Sequence, residues 1–354
     1  MNMGGKEEEK FTRRQFVKLT AVALGLGVAG GLNLASCDLK PKAKETSDDL
    51  KEFSLNLGDE REIKLGDLLW VPDTHTSMLK IGGKYRLWLS ARRETYLVET
   101  KDFYHMKEPQ LVFNPDNIYD REGYRGYAGV GSVIPAEDRL LMFYHQETWG
   151  DKNHSRNFQA KVCLAQSFDQ GLTWYRKGPI LEGKNPAKPG ERVSGAGQPC
   201  AVVKDDYVYL FYTDWNAWEP DAIHLARASL SQVGKAKSWK KCFEGEAVIS
   251  PVFPEMKYTA LADVGYNDYL KQWLAIFEAS DGFYACCSQD LLNWGRYRKI
   301  FDFSSNGEWF SYPTLLSPGY ASDRETGQEG ILIYAKSEGR EPHRMFGRNF
   351  SLSV

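Results

Sequence analysis

Beyond about residue 65, apolar and polar residues alternate in short runs separated by turns of Gly, Asp and Asn, and no stretch longer than a turn or two carries the 3.6-residue apolar period of a helix. That pattern predicts an all-β chain. One run recurs five times: Lys84 to Ser90, Arg139 to His145, Tyr207 to Thr213, Gln272 to Glu278 and Gly330 to Lys336. Aligned on Trp88, Phe143, Phe211, Ile276 and Tyr334, the copies are 55, 68, 65 and 58 residues apart. Each of the first four follows an apolar run and a short turn (Gly82-Gly83, Glu137-Asp138, Asp205-Asp206, Asp268-Tyr269), which makes it the second strand of a hairpin.

A third strand and a characteristic turn complete the repeat. Ser167-Phe168-Asp169-Gln170-Gly171-Leu172-Thr173-Trp174 fits the Asp-box pattern, in which the aspartate ties down the turn and the tryptophan packs between strands. Ser288 to Trp294, with Asp290, is a degraded copy, and Thr100-Lys101-Asp102 a fainter one. Four strands per unit of about 60 residues, five times over, predicts a five-bladed β-propeller of four-stranded antiparallel blades over residues 53–354. A sandwich of this size would not repeat a hairpin and a turn box at one period. The segment from Phe53 to Leu69 is expected to complete the last blade and close the ring.

The amino-terminal region breaks the pattern. Thr12-Arg13-Arg14-Gln15-Phe16-Val17-Lys18 precedes a mildly apolar stretch, Leu19 to Ala35, diluted by four glycines. This reads as a twin-arginine export signal, handled by the twin-arginine export machinery. Leu34-Ala35-Ser36-Cys37 resembles the lipobox of bacterial lipoproteins, which makes residues 1–37 a cleaved signal and Cys37 the lipidated anchor of an extracytoplasmic, membrane-attached protein. A spanning helix would need about 20 strongly apolar residues. Residues 38–52 are charged and aperiodic, as a flexible tether is. The remaining cysteines, Cys163, Cys200, Cys242, Cys286 and Cys287, are odd in number and have neither disulfide-framework nor zinc-ligand spacing, so they read as packing residues.

Charge narrows the partners. The 354 residues include 45 basic and 47 acidic side chains, a net charge of −2 that gives no field for collecting a phosphate backbone, so nucleic acid is not an expected partner. No glycine-rich loop sits between a strand and a helix, so no nucleotide site is expected. The aromatic surplus, 18 Phe, 19 Tyr and 10 Trp, goes mostly into the repeated second strands and turn boxes.

In an antiparallel blade the start of the first strand and the end of the second share one rim, which lines the mouth of the central cavity. That rim receives Asp73, His75, Arg92 and Arg93; then Gly129, Ser132, His145 and Glu147; then Gln198, Asp214 and Trp215; then Asp263, Glu278 and Asp281; then Tyr312, Lys336 and Glu338. Asp169 and Asp290 fall at the opposite end and are structural. A mouth with several carboxylates among His, Arg, Trp and Tyr suits sugars, whose apolar faces stack on aromatic rings while charged groups take the hydroxyls. Two carboxyl groups roughly 5 to 9.5 Å apart, one protonated and one ionised, cleave glycosidic bonds, and crowding of like charges sets up that division.

The five-fold repeat, Val71-Pro72-Asp73 before the first inner strand, Gly197-Gln198-Pro199 opening the third blade, and the Ser-x-Asp turns ending in Trp resemble the five-bladed glycoside hydrolases of families 43 and 32, over roughly residues 65–350. The resemblance implies carboxylate general acid/base catalysis on an oligo- or polysaccharide, with Asp73 as base or nucleophile. Gln198 stands where the family has an aspartate and Asp263 where it has a glutamate, which leaves the acid unassigned; Glu147 is the candidate, with Asp263 in support. Substrate contacts are expected from His75, Arg92, His145, Gln198, Asp214, Trp215 and Tyr312. No cofactor is expected from the residues themselves, and no dense Asp/Asn loop supports a metal; a calcium ion near His75 or His145 is implied only by the family. Two other readings stand beside this one: a carbohydrate-binding surface lipoprotein whose catalytic pair has been lost, and a sialidase-like protein drawing on Arg92, Arg125 and Arg344.

Overall fold

The computed structural model of the protein describes residues 52–114, 126–149, 157–184, 187–188, 191–215, 221–242, 252–253, 255–256, 258–303, 307–339 and 341–354. The expected signal with Cys37, the tether as far as residue 51, and Arg125 lie outside the described residues.

Strand pairing follows the alternation. Unit I pairs Ser77–Ile81, Lys84–Ala91, Glu94–Thr100 and Gln110–Phe113 in antiparallel order. Unit II pairs Tyr127–Ala136, Arg139–Trp149, Phe158–Ser167 and Tyr175–Glu182. Unit III pairs Ser194–Lys204, Tyr207–Trp215, Ala222–Ser229 and Lys240–Lys241. Unit IV pairs Thr259–Asn267, Gln272–Ala279, Gly282–Ser288 and Arg298–Asp302. Unit V pairs Glu308–Leu316, Glu329–Glu338 and Arg344–Ser353, and its fourth strand is Ser54–Glu62 from the other end of the chain. The closing strand therefore falls within the expected segment, in register from Ser54 opposite Ser353 to Glu62 opposite Phe346. Among the described residues there is no α-helix, only two single 3₁₀ turns. The fold is the all-β propeller that the sequence pattern predicts.

The first strands of the units are held to one another by a cycle of five hydrogen bonds. Val133 N–H donates to Ser77 Oγ (2.9 Å), Ala201 N–H to Ser132 Oγ (2.9 Å), Val264 N–H to Cys200 Sγ (3.2 Å), Leu315 N–H to Asp263 Oδ2 (2.8 Å), and Thr76 N–H to Thr314 Oγ1 (3.2 Å). Each unit thus offers one short acceptor side chain to the backbone of the next, and the fifth bond returns to unit I. Backbone N–H groups in neighbouring first strands cannot pair with each other as sheet partners do, and burying them unpaired would cost about 1–3 kcal/mol apiece. Ser, Cys, Thr or Asp at this register removes that cost.

The same register locates the repeated run. Ser77, Ser132, Cys200 and Asp263 lie opposite Trp88, Phe143, Phe211 and Ile276, the residues on which the first four copies align. In unit V the partner of Thr314 is Ile333, one residue before Tyr334. The fifth copy is therefore displaced by one position in the sequence alignment. A one-residue slip moves a side chain to the other face of a strand, and Tyr334 indeed sends its hydroxyl to Glu60 of the closing strand.

The turn boxes behave as expected. Asp169 Oδ1 accepts the N–H groups of Leu172 and Thr173, Asp290 Oδ1 those of Leu292 and Asn293, and Asp102 Oδ1 those of Tyr104 and His105. Trp174 packs edge-on against Trp88 of unit I, both indoles donating to Gly171 O. The five described cysteines are buried thiols, and the adjacent Cys286 and Cys287 fill two different core clusters on opposite faces of their strand.

One end of the central channel is occupied by the link between the first two strands of unit V. Arg324 donates from Nη1 to Val264 O and Cys200 Sγ, and from Nη2 to Asp263 Oδ1 and Asp323 Oδ2. Lys80 N–H donates to Ala321 O and Asp323 N–H to Met78 O, which ties this link to the first strand of unit I. A side chain of unit V that meets units III and IV at once lies near the axis.

Candidate functional site

The opposite mouth gathers three carboxylates. Asp73 precedes the first strand of unit I, where its N–H donates to Ser90 O (3.0 Å). Its carbonyl accepts the Tyr127 hydroxyl at 2.5 Å, and its Oδ1 accepts the Tyr312 hydroxyl at 3.1 Å. The His343 Nε2 lies 4.0 Å from Oδ1. Burial, and then the nearby charge of Glu147, push the Asp73 carboxyl up to about 8, against the two tyrosine donors; a quarter of the side chain still meets solvent, which moderates that push.

Glu147 lies near the end of the second strand of unit II, directly opposite Tyr127 in the sheet. Tyr127 therefore joins the two acids, with its backbone beside one and its hydroxyl on the other. Glu147 is held by two donors: His145 Nε2 to Oε1 (2.9 Å) and Trp149 Nε1 to Oε2 (2.5 Å). The Gln198 N–H donates to His145 Nδ1 (3.2 Å), which leaves Nε2 to carry the proton given to Glu147. A Cβ at Gly197 would fall 2.0 Å from His145 Nδ1, so a glycine there lets the imidazole approach the backbone. Arg93 covers the outer face of Trp149, 4.6 Å from the ring centre.

The third acid, Glu278, is buried at the end of the second strand of unit IV. Ser311 Oγ donates to its Oε2 (2.5 Å), and burial pushes it up to about 7. Because Ser311 holds Glu278 and the next residue, Tyr312, holds Asp73, one dipeptide links the two sites. Tyr312 sits in a β-bulge at φ 60°. Gln198 at φ 50° and Leu261 at φ 56° occupy the equivalent bulges of units III and IV. Non-glycine residues in the left-handed region cluster where a chain must re-aim side chains.

That register corrects the expectation for Asp263. It lies two residues beyond the bulge, as Cys200 and Thr314 do, and both of its oxygens are engaged, by Leu315 N–H and by Arg324. Asp263 is a clasp of the ring, not a third acid at the mouth; the bulge position equivalent to Tyr312 in unit IV belongs to Leu261.

The expected substrate contacts divide. Tyr312 and His145 touch the carboxylates directly. Gln198 is at the bulge, its amide oxygen accepting the Thr213 hydroxyl (2.9 Å). His75 is fully buried, its ring facing the carbonyls of Pro313 and Gln198; it bridges units I, III and V below the mouth, and burial with the Arg324 charge holds it down at about 3. Asp214 is buried and accepts the Lys184 N–H (3.1 Å), and together with burial it raises Asp221 to about 6. Trp215 is buried edge-on against His145 and Phe158, a wall and not an exposed face. Arg92 lies in the exposed turn after the second strand of unit I. Among the described residues no three His, Cys, Asp or Glu side chains converge as a metal cage, and the carbonyls at His75 belong to the backbone packing of the axis.

Tyr127, His343, Trp70 and Trp309 were not singled out from the sequence. Tyr127 and His343 were within reach of the same rim rule: Tyr127 begins a first strand, and His343 precedes a third strand, which starts at the rim where the second ends.

No known protein family's sequence profile matches the chain, and no curated protein sequence resembles it. Solved structures do. An α-L-arabinofuranosidase from Podospora anserina in complex with cellotriose superposes with a TM-score of 0.55 at 11% identity, over 86% of this chain and 98% of that one. A family 117 glycoside hydrolase produced by the marine bacterium Zobellia galactanivorans gives 0.55 at 12% identity, over 86% and 91%. A thermostable family-43 glycoside hydrolase gives 0.52 at 12% identity, over 82% and 91%. At such identities the likeness is one of fold.

Proposed function

We propose that this chain is a glycoside hydrolase-like protein that cleaves glycosidic bonds of an oligo- or polysaccharide with Asp73 and Glu147 as its carboxylate pair. The observation that carries this reading is the contrast between the two groups. Glu147 accepts a hydrogen bond on each oxygen, whereas Asp73 is destabilised as an anion by burial and then by Glu147 itself. Two acids in unlike surroundings can divide into proton donor and base. On this geometry Asp73 donates the proton to the leaving oxygen and Glu147 acts as base, the reverse of the roles that the family resemblance implies. His145 and Trp149 orient Glu147, and Tyr312 and Tyr127 fix Asp73. The three solved structures named above are an arabinofuranosidase and two glycoside hydrolases, which supports the reaction class. Export by the twin-arginine route and anchoring through Cys37 belong to the same reading, since an extracytoplasmic protein meets polysaccharide directly. No step depends on calcium.

The bulges favour a second reading. Gln198 and Leu261 place an amide and an aliphatic side chain at the positions equivalent to Tyr312, which suits a protein that binds glycans without cleaving them. Arg92 lies in an exposed turn and Arg344 pairs with Glu62, which weighs against the sialidase-like alternative.

The test is turnover by the purified protein of arabino-, xylo-, fructo- and sialo-oligosaccharides, alongside Asp73→Asn and Glu147→Gln. Hydrolysis lost by at least about 10²-fold in both variants is expected. Binding without hydrolysis in the wild type would establish the second reading, and turnover untouched by either substitution would remove the assignment.

A further inference from the structure

We infer that Trp70, Trp309 and His343 form a glycan subsite beside Asp73, in which two exposed indoles take the apolar faces of a bound oligosaccharide. Trp70 and Trp309 are exposed at 43% and 39%, large values for side chains that a folding core would cover. Both pack on the same buried imidazole: His343 lies 5.3 Å from Trp70, edge to face, and 5.1 Å from Trp309. That imidazole is the one 4.0 Å from Asp73 Oδ1, and Trp309 also lies 5.7 Å from Tyr312, whose hydroxyl holds Asp73. The two indoles therefore flank the carboxylate that the proposed function uses, and they come from opposite ends of the chain.

The backbone adds an independent observation. Trp70 has φ 59°, a conformation that bulky side chains rarely adopt, and its N–H is fixed to His343 O at 3.0 Å. A strained backbone thus holds a large apolar ring, nearly half of it in solvent, against the His343 imidazole beside Asp73. The occupant that fits is a sugar: its C–H face covers an indole while its hydroxyls reach the adjacent carboxylate, a combination that a purely apolar partner would not satisfy. Trp215, expected from the sequence as a substrate contact, is walled in beside His145, and the nearby Trp149 donates to Glu147.

This subsite rests on the reading of the mouth as glycan-directed, and its test separates the two. Binding of arabinotriose, xylotriose and kestotriose is measured by titration calorimetry on the wild type, Asp73→Asn, Trp70→Ala, Trp309→Ala and Trp309→Phe, with KM and kcat for any trisaccharide that is cleaved. Expected is at least one trisaccharide bound by the wild type and by Asp73→Asn, weakened about tenfold or more by each Trp→Ala change and partly restored in Trp309→Phe, with KM raised and kcat little altered. Thermal unfolding of the variants checks that the fold is retained. If the wild type binds none of the three, or if Trp70→Ala and Trp309→Ala bind as the wild type does, the subsite is overturned. Loss of hydrolysis in Asp73→Asn with unaltered binding in the Trp variants would overturn the subsite and leave the catalytic reading standing.

Discussion

The hydroxyl of Tyr312 lies 3.1 Å from Asp73 Oδ1, so the bulge of the last unit reaches a carboxyl in the first. That hydrogen bond stabilises the Asp73 anion and holds its pKa below the value that burial alone would impose. Removing it with Tyr312→Phe moves the Asp73 pKa further up. A hydrogen bond to a charged group is worth about 1.5–3 kcal/mol, which is about one to two pH units. If Asp73 is the proton donor, activity falls as pH rises through its pKa, and the alkaline limb of kcat/KM shifts to higher pH in Tyr312→Phe. A limb that does not move, in a variant that still turns over, would dissociate Asp73 from the donor role.

Glu278 gives a stability signature instead. Its folded pKa, near 7, stands above the ordinary value of 4.5, so the folded state holds a proton that the unfolded chain releases between those two values. Stability from this group is thus undiminished below about pH 4.5, declines as pH rises, and is at its lowest above pH 7. Glu278→Gln removes the penalty and can still accept from Ser311. It is expected to be more stable than the wild type by about 2–3 kcal/mol at pH 8 and by little at pH 5. Thermal or urea unfolding at both pH values decides the matter; an equal difference at the two would mean that Glu278 is not the titrating group.

Asp263 and Asp73 are expected to fail in different ways. Asp263→Asn leaves Arg324 buried with less compensation, and loss of one partner of a buried pair costs about 3–5 kcal/mol. Unfolding should move to markedly lower temperature, while the folded fraction keeps its kcat. Asp73→Asn should do the converse, sparing the fold and removing turnover. Turnover lost in a fully folded Asp263→Asn would return this residue to the reaction.

Much of the architecture was legible because it repeats. Alternation, the hairpin turns and the Asp boxes all carry one period, and a periodic signal survives local irregularity. The fifth copy slipped because Tyr334 resembles Phe211 and Phe143 in kind, whereas the register follows the clasp residue, and Ile333 faces it. Asp263 misled for a related reason. A bulge adds unpaired residues to a strand, so counting from the strand start does not reveal whether a side chain lies at the bulge or beyond it. Nor does the chain advertise that the acceptor at one register is Ser, Cys, Thr or Asp according to the unit, since what the position requires is a short acceptor of any chemistry. The contribution of His343 was hidden for another reason: its partners Asp73 and Trp70 come from the far end of the chain, and no local pattern joins them.

The closing strand adds a consequence about order in time. Arg348 bonds Gly58 O across 290 residues of sequence, whereas neighbouring units meet over far shorter separations. Contacts so distant along the chain form late, because the loop they close carries the largest entropy cost. Until the two ends meet, the molecule is an open crescent: its clasps can form from unit I through unit V, but Thr76 and Thr314 remain apart. The site lies on that same joint, since Asp73 belongs to unit I and its partners Tyr312 and His343 to unit V. An unclosed crescent has every residue of the site but lacks the contacts of Tyr312 and His343 with Asp73, so the appearance of activity during refolding would be a clock for the closing of the ring.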